Sequence, residues 1–523
     1  MARHSGGGKR TGARGGGLRR GRPSRRGAGA SGRLATGLVL AGSLAAVGTY
    51  LAVAAARIGH PYELQWIEGA VADQVRRLLA GQPLYTAPSV DYTGLPYPPL
   101  FPWLAAAVAR LVGGGFLAPR LVSLVASVAC LALVALLVRR ATGDWVGGAA
   151  AAGLFAAGFR LAGAWYDVAR VDSLFLALLL AGLAVASRAE GRAGGAAAGA
   201  LLALSFLAKQ SALVVVLPVA TYLVVRRRPA GGALAVAFAT PVVVSTVALD
   251  VASDGWYRFF LAESLAGHPV VGSAWLDFWV RDLWRLVLVP ALVVPAALVA
   301  RRGRDELGTG FWLSSLGGLL ACAWISRLHS GGYANVLMPA VAAAALAFGF
   351  AVHHLRHGPV WRRAGTVAAV LAQLALLSYD PRAQLPTSDD RDAGHRLVAA
   401  LRAVDGDVFV VSHPWYGVLA GKPSTAHAAA LGDVLRGDDR RLAARVRSQL
   451  ADAVHTQRFA AIVFDETTGD RRGFPPDFER WYRHVPDPVF APGSSGLVPV
   501  TDLKARPRSW WVPVTPPPAR ARP

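Results

Sequence analysis

Repeated apolar blocks dominate the sequence and limit the folds that are open to it. Between about residues 34 and 378 each block runs for roughly 16–24 residues, which is long enough for a helix to cross the hydrocarbon core of a bilayer. Hydrophobic residues make up 54% of the 523 residues and charged residues only 17%, against about 25% charged in ordinary soluble domains. The pattern excludes a soluble multi-domain enzyme and an intrinsically disordered chain. It also excludes a disulfide scaffold, because Cys130 and Cys322 are the only cysteines and both lie inside apolar blocks.

The apolar blocks predict eleven membrane-spanning helices, because inside lipid only helices satisfy the hydrogen bonds of such segments. We predict the spans at 34–56, 117–138, 146–163, 171–187, 193–208, 210–225, 230–250, 284–300, 309–326, 333–351 and 361–378. The stretch 99–112 is short and interrupted by prolines, so we predict an interfacial helix that does not cross. With a cytoplasmic N-terminus, this count places every basic cluster between spans on the cytoplasmic side, as the positive-inside rule requires.

Four segments outside the spans complete the predicted organisation. Residues 1–33 carry ten Lys or Arg and no acid, which predicts a disordered cytoplasmic tail that contacts anionic lipid rather than nucleic acid. Residues 57–116 form a first outer loop. Residues 379–504 predict a small extracytoplasmic α/β domain, because VFVVSH and AAIVFD have the pattern of short buried strands on either side of a helix. Residues 505–523 are rich in Pro and Arg and are predicted to be disordered.

Polar side chains gather at helix ends on the predicted outer face, where such residues mark a site in membrane proteins. The first outer loop contributes Glu68, and the turn WYDVARVD contributes acids and an arginine. Lys209 follows the fifth span, and it is one of only four lysines in the chain. The turn SRLHSGGYAN supplies further polar groups before the tenth span. Carboxylates and cations that converge there predict a pocket for an anionic, lipid-borne substrate.

Each of these residues also has a structural explanation. Lys209 can be a helix-end residue whose side chain snorkels to the interface. Asp172 can be an N-cap, and Glu68 can be a solvated loop acid. A histidine cluster resembles a metal site, but it falls at the cytoplasmic end of a span, where a basic flank is the better interpretation: His353, His354 and His357.

Six short elements follow one another in an order that resembles a known superfamily: EGAVA at 68–72, LLAGQPLY at 78–85, YPPL at 97–100, ARVDSL at 169–174, LAKQSAL at 207–213 and GGYAN at 331–335. The chain is similar to the GT-C membrane glycosyltransferases, nearest to the protein-mannosyltransferase/ArnT-like group with its RgtA/B/C/D-like domain. Two positions depart from that pattern. The family often has Asp-Glu where this chain has Ile67-Glu68, and ArnT-type enzymes have Lys-Pro where this chain has Tyr97-Pro98.

The resemblance implies a polytopic enzyme that moves a hexose or pentose from a polyprenyl-phosphate sugar to an extracytoplasmic glycan, lipid or protein, with inversion. It implies a location in the plasma membrane. A lipid-linked sugar cannot leave the bilayer, so the site must lie at the membrane interface. The residues demand no cofactor, and a divalent metal at Glu68 stays open, since a lone carboxylate is a thin cage for Mg²⁺ or Mn²⁺.

The resemblance also implies roles for individual residues. An outer-loop carboxylate would act as general base, and cations would stabilise the charge that develops on the leaving phosphate. The expected residues are Glu68 as base, Asp172 or Asp167 to orient the acceptor or sugar, Lys209 with Arg327 or His329 at the phosphate, and Tyr97, Tyr333 and Asn335 at the substrate.

Two other functions are weighed against this one. A transporter or flippase of lipid-linked precursors would be expected to have internal repeats and polar residues at mid-depth, whereas this chain shows no repeat and its polar residues stand at helix ends. A non-catalytic envelope-assembly protein, whose C-terminal domain binds a partner, is the second alternative.

Overall fold

The computed structural model of the chain describes residues 25–300, 306–465, 471–490, 496–501 and 503–514. Residues 1–24 of the predicted cytoplasmic tail lie outside this part. Residues 25–33, predicted to be disordered, instead form the first turns of a helix. No proline interrupts them, so the hydrogen-bond ladder of the first span continues into them.

Helices build the apolar part of the chain. Their bounds are α1 Arg25–Arg57, α2 Glu68–Leu79, α3 Leu100–Val112, α4 Leu117–Thr142, α5 Trp145–Ala157, α6 Asp172–Ala186, α7 Arg192–Ala208, α8 Ala212–Arg226, α9 Arg228–Ala252, α10 Trp256–Arg258, α11 Ser264–Ala266, α12 Ala274–Asp277, α13 Leu288–Ala300, α14 Glu306–Arg327, α15 Met338–Arg356 and α16 Val360–Leu376. Short π-helical turns cover Phe259–Glu263 and Phe278–Asp282, and 3₁₀ turns cover Trp284–Leu286, Ala334–Leu337 and Arg382–Gln384.

Every predicted span overlaps one of these helices, and the stretch predicted to be interfacial forms α3. The span predicted at 146–163 is too long, since α5 ends at Ala157. Within the described residues, five helices are long and apolar enough to cross a membrane: Gly32–Arg57, Leu117–Thr142, Arg228–Ala252, Gly308–Arg327 and Ala334–Arg356. Most of the others are shorter apolar helices. The chain is thus a bundle of apolar helices, and the number that cross the bilayer stays a prediction.

Four of the basic clusters predicted to be cytoplasmic meet at one end of the bundle, and the predicted cluster at 301–304 lies outside the described residues. Arg188 Nη2 donates to the carbonyl of Arg140 at 3.4 Å, and Arg227 Nη1 donates to the carbonyl of Ser187 at 3.3 Å. Arg356 pairs with Asp144, the N-cap of α5, at 2.6 Å. The ends of α4, α6, α8 and α15 are therefore on the same side. We call the opposite end, where α6, α8 and α15 begin, the outer end.

Glycines allow α5 to pack closely against its neighbours. A Cβ at Gly153 of α5 would lie 2.6 Å from Ser43 Cα of α1. Gly147 of α5 faces Gly349 of α15, and a Cβ on Gly349 would lie 2.7 Å from the carbonyl oxygen of Gly147. Close approach through small residues is how helices associate in lipid, where no hydrophobic effect drives them together.

The C-terminal domain is an α/β module on the outer end. Its helices are α17 Ser388–Ala403, α18 Pro414–Leu419, α19 Ala428–Arg436, α20 Arg440–His455 and α21 Phe478–Trp481. Its strands are β1 Val408–Val410, β2 Ala461–Asp465, β3 Tyr482–Val485 and β4 Pro507–Pro513, in the order β1-β2-β4-β3. β1 and β2 are parallel, and β4 is antiparallel to β2 and β3. The two predicted strands are therefore β1 and β2.

Strand β4 corrects the prediction of a disordered tail from residue 505. Trp510 and Trp511 are buried on opposite faces of the sheet, each in a different apolar cluster. This alternation is the strand pattern, and it outweighs the Pro and Arg content, since Pro507 and Pro513 stand only at the strand ends. Residues 515–523 lie outside the described part of the chain.

The module packs on the first outer loop through backbone hydrogen bonds. The amide of Thr501 donates to the carbonyl of Leu64 at 3.1 Å, and the amide of Ala426 donates to the carbonyl of Val90 at 2.8 Å. His427 Nε2 donates to the carbonyl of Trp66 at 3.0 Å. The loop and the module together therefore cover the outer end of the helices.

We expect Gly349→Ala to destabilise the bundle by ~1–3 kcal/mol, because overpacking forces backbones apart. The midpoint of thermal unfolding in detergent should fall accordingly. Gly317→Ala is the matched control, since a Cβ at Gly317 of α14 meets nothing within 4 Å. Equal midpoints for the two variants would contradict the close α5–α15 contact.

Candidate functional site

A cavity of about 800 Å³ lies at the outer end, between the helix ends and the C-terminal module. This volume is in the range of sites that enclose small ligands, ~300–1,000 Å³. Apolar groups from α8, α14 and α19 form part of its wall. The polar and aromatic groups of the wall include Trp66, Tyr97, Arg170, Lys209, Gln210, His268, His329, Tyr333, Asn335, Asp433, Arg436 and Arg472.

Arg170 is the central cation of this wall. Its residue is only 4% exposed, and its Nη2 donates to the Tyr97 hydroxyl at 2.9 Å. The guanidinium also stands 5.2 Å from the Trp165 ring centroid and 5.3 Å from that of Tyr97. Among the described residues no carboxylate forms an ion pair with it, and its Nε has no hydrogen-bond partner. A buried cation is stabilised by a nearby anion, and Asp172, which pairs directly with Lys209, acts on Arg170 only at longer range.

Lys209 stands beside Arg170 in the wall, at the C-cap of α7. Its Nζ pairs with Asp172 Oδ1 at 2.6 Å, and Asn335 Nδ2 donates to the same oxygen at 3.0 Å. Asp172 begins α6 and does not line the cavity. From its position outside the cavity, Asp172 accepts these two hydrogen bonds and so fixes Lys209 and Asn335 in the cavity wall.

Glu68, expected to be the general base, is instead part of the framework. It is fully buried and outside the cavity. Its Oε1 accepts from Arg120 Nε at 2.9 Å and from the Ala169 amide at 2.7 Å. Its Oε2 accepts from Arg120 Nη2 at 2.6 Å and from the Leu64 amide at 2.7 Å. Burial would raise the pKa of Glu68, but Arg120 and the two amides outweigh burial and hold the pKa below its ordinary value.

The same four bonds bear on the metal that the sequence leaves open at Glu68. Each carboxylate oxygen already accepts two hydrogen bonds, and the Arg120 guanidinium occupies the position of a counter-cation. A divalent cation needs free carboxylate oxygens, so the residues present do not fit a metal at Glu68.

Asp167 and Arg327 also have structural partners. Asp167 forms a two-fold ion pair with Arg57, at 2.6 and 2.8 Å, and both side chains are buried. Arg327 donates to Asp282 at 2.7 Å and to the carbonyl of Gly332 at 2.8 Å. Neither residue lines the cavity.

Five of the predicted site residues do meet in the cavity wall: Tyr97, Lys209, His329, Tyr333 and Asn335. Arg170 inside the ARVDSL element and Trp66 beside Glu68 also line the cavity, although neither is among the predicted site residues. His268 and Asp433 carry no motif, and only the folding of distant segments brings them to the cavity.

The histidines at the other end of the bundle do not make a metal site. Asp144, His353 and His357 have ligand atoms within 4.8 Å of one another. However, Arg356 donates to both oxygens of Asp144, at 2.6 and 2.9 Å. The guanidinium already neutralises the only carboxylate of this group, which agrees with a basic flank.

A second buried ionic group joins the first outer loop to the module. His413 Nδ1 bonds to Glu63 Oε2, and His413 Nε2 lies 3.3 Å from Asp465 Oδ1. Burial raises the pKa of Glu63 to about 7, although His413 acts in the opposite direction. Burial would lower the pKa of His413, but Asp465 and Glu63 raise it well above its ordinary value. None of the three lines the cavity, so this group serves docking.

Comparison with protein families supports the resemblance in the middle of the chain. The family model of dolichyl-phosphate-mannose-protein mannosyltransferase matches residues 97–253. This range contains Tyr97, Arg170, Asp172 and Lys209. None of the curated protein sequences compared with the chain matches it.

Solved structures with the same fold include two glycosyltransferases. ArnT from Cupriavidus metallidurans, in a crystal structure with undecaprenyl phosphate bound, has a TM-score of 0.55 at 14% identity, over 91% of this chain and 98% of that chain. The archaeal oligosaccharyltransferase AglB from Archaeoglobus fulgidus, in complex with an inhibitory peptide and a dolichol-phosphate, has a TM-score of 0.53 at 10% identity, over 86% and 72%. The resemblance to GT-C membrane glycosyltransferases is thereby confirmed for the fold.

We expect Glu68→Gln to destabilise the fold by ~3–5 kcal/mol, because it leaves Arg120 as a buried cation without its counter-ion. Thermal unfolding in detergent measures this loss. Glu479→Gln, at an exposed glutamate of the module, should leave the midpoint unchanged. A Glu68→Gln protein as stable as the wild type would contradict the framework role.

The Glu63–His413–Asp465 group predicts a stability that falls as pH rises. The raised pKa of Glu63 means that the folded state binds more protons between its ordinary value of 4.5 and about 7, and stability declines through that window. The raised pKa of His413 adds a loss that begins above 6.5. The wild-type midpoint should therefore decline with pH more steeply than that of Glu63→Gln. Parallel profiles for the two proteins would contradict the assignment.

Proposed function

We propose that this chain, which has the fold of the GT-C membrane glycosyltransferases, transfers a sugar from a polyprenyl-phosphate sugar to an acceptor outside the cytoplasm. The observation that supports this most directly is Arg170, a buried guanidinium without a carboxylate partner among the described residues, in the wall of a ligand-sized cavity. An anionic ligand would supply the direct ion-pair partner that Arg170 lacks among these residues.

The phosphate of the donor would sit between Arg170 and Lys209. Arg170 offers a planar group held by the Tyr97 hydroxyl, and Lys209 offers a compact ammonium held by Asp172. The two differ in kind: a guanidinium can bind phosphate with two parallel hydrogen bonds, whereas an ammonium acts as a point charge. Because Asp172 already balances Lys209, the net positive charge available to the phosphate comes from Arg170.

The prenyl chain would leave the cavity between α8 and α14. Leu213 of α8 and Ile325 of α14 line the cavity, and both are exposed on the surface of the bundle. The segment between α11 and α13 carries three exposed tryptophans, Trp275, Trp279 and Trp284. Tryptophan is enriched at membrane interfaces. This surface would keep the lipid in the bilayer while its phosphate enters the cavity.

The reaction would be a single displacement with inversion at the anomeric carbon. The acceptor oxygen bonds to that carbon, the bond from the carbon to the phosphate oxygen breaks, and the prenyl phosphate leaves with the electron pair. Arg170 and Lys209 would stabilise the charge on the departing phosphate. The positive-inside rule puts this chemistry on the non-cytoplasmic face of the plasma membrane. Glu68 is not proposed as the base, since its oxygens are fully bonded.

We expect Arg170→Ala to reduce transfer by ~10²–10³-fold, the usual cost of removing one group that stabilises an oxyanion. Lys209→Ala should also lose activity. Transfer is measured in membrane vesicles that contain endogenous acceptor, with radiolabelled polyprenyl-phosphate mannose and polyprenyl-phosphate arabinose as donors. Binding of radiolabelled polyprenyl phosphate to purified protein is measured in parallel and should weaken with Arg170→Ala.

Arg281→Ala serves as the control, because Arg281 lies in the π-helical turn Phe278–Asp282 with a side chain that is 78% exposed. It should bind and transfer as the wild type does. An Arg170→Ala protein that binds polyprenyl phosphate with wild-type affinity would contradict the phosphate site.

A further inference from the structure

The proposed transfer needs a group that takes the proton of the acceptor hydroxyl, and the structure restricts where that group can be. Glu68, Asp167 and Asp172 all lie outside the cavity. Among the described residues that line it, Asp433 is the only carboxylate. It lies on α19 of the C-terminal module, on the side of the cavity opposite the membrane helices.

Asp433 does not stand alone but holds a histidine. Its Oδ1 accepts from His268 Nε2 at 2.9 Å and from Arg436 Nη2 at 2.6 Å. The side chain of His268 is 9% exposed and that of Asp433 is 12% exposed. An ionised carboxylate can only accept, so Nε2 carries the proton of the neutral imidazole. The lone pair is therefore on Nδ1.

The geometry around Nδ1 leaves this lone pair available. In the described parts of the chain, no donor forms a hydrogen bond with Nδ1. Because Nδ1 is also absent from the fully buried atoms that lack a partner, it is accessible. Gly331 lies next to it in the cavity wall, and a Cβ on Gly331 would be 2.8 Å from Nδ1. A side chain at this position would therefore crowd Nδ1, which only a glycine avoids.

The position of His268 depends on two contacts of its loop. The amide of Val271 donates to the carbonyl of Leu328 at 2.7 Å, and the amide of Ser330 donates to the carbonyl of Pro269 at 3.1 Å. On the other side Gly267 approaches the module so closely that a Cβ would lie 2.7 Å from Gly437 Cα. The loop is held between the turn before α15 and the end of α19.

We infer that His268 is the general base for the acceptor and that Asp433 positions it; this rests on the proposed function and adds the acceptor side of the site. The acceptor O–H gives its proton to Nδ1 as its oxygen bonds to the anomeric carbon and the bond to the phosphate breaks. The imidazolium that forms is stabilised by Asp433 through Nε2. His268 later returns the proton to water.

The first test compares two variants with a matched pair. His268→Gln should reduce transfer in the vesicle assay by ~10²–10⁴-fold, the range expected for a general base, while binding of radiolabelled polyprenyl phosphate stays within about two-fold of the wild type. Asp433→Asn should also reduce transfer. His455 and Asp477 form a surface His–Asp pair in the same module, at 3.1 Å. His455→Gln and Asp477→Asn should transfer as the wild type does.

The kinetic constants separate a positioning role of Asp433 from a merely structural one. Asp433→Asn should lower kcat, because His268 loses the carboxylate that orients it, while KM for the polyprenyl-phosphate sugar stays near the wild type. Asp433→Glu keeps a carboxylate on α19 and should recover part of the lost kcat. An Asp433→Asn protein with a raised KM and an unchanged kcat would overturn the role of Asp433.

Gly331→Ala tests the approach to Nδ1 without removing either side chain. We expect it to reduce transfer at least ten-fold, while polyprenyl phosphate still binds. His268→Gln with transfer within about two-fold of the wild type would overturn the inference and leave the proposed function standing. A wild-type protein that neither binds polyprenyl phosphate nor transfers sugar would overturn both.

Discussion

The buried ion pair between Glu68 and Arg120 is the contact on which the outer end of the molecule depends. Arg120 lies in the first turn of α4. In addition to Glu68, it binds the carbonyls of His60 and Tyr62, to which it donates hydrogen bonds. Glu68 in turn binds the amide of Ala169, the residue directly before Arg170. One pair of opposite charges therefore ties the first outer loop, a membrane helix and the turn that presents Arg170. A buried pair that is fully hydrogen-bonded specifies one arrangement, since breaking it leaves a charge without a partner.

The buried charges of the outer end are of two kinds: some are paired within the protein, and one faces the cavity. Glu68–Arg120 and Arg57–Asp167 use nearly all their hydrogen-bonding capacity within the protein, and both lie outside the cavity. Arg170 is as well buried, yet it faces the cavity with one hydroxyl partner and two aromatic rings. The charges that look most catalytic in the sequence thus build the framework. Arg170, the charge that remains available for an anion, directly follows Ala169, whose amide Glu68 binds.

The C-terminal module closes the cavity from the side opposite the lipid. It contributes Asp433 and Arg436 to the wall, and its contacts with the first outer loop hold the wall in place. The two halves differ in chemistry. The membrane side presents Arg170 and Lys209, where we propose that the donor phosphate binds. The other side presents Asp433 of the module with His268 of the outer loop, which we propose for the acceptor hydroxyl. This division suits a reaction in which one substrate stays in the bilayer and the other arrives from outside it.

The sequence by itself determined the helical bundle, because long apolar runs in lipid have few alternatives to the helix, and local hydrophobicity locates each run. It also indicated the superfamily and the turn with Arg170, through short elements such as ARVDSL. Only the tertiary structure decided which charges pair with each other. Glu68 meets Arg120 across 52 residues and His268 meets Asp433 across 165 residues, and no local pattern encodes such distances. Strand β4 follows the same logic: its proline- and arginine-rich sequence becomes a strand because β2 and β3 provide partners on both sides.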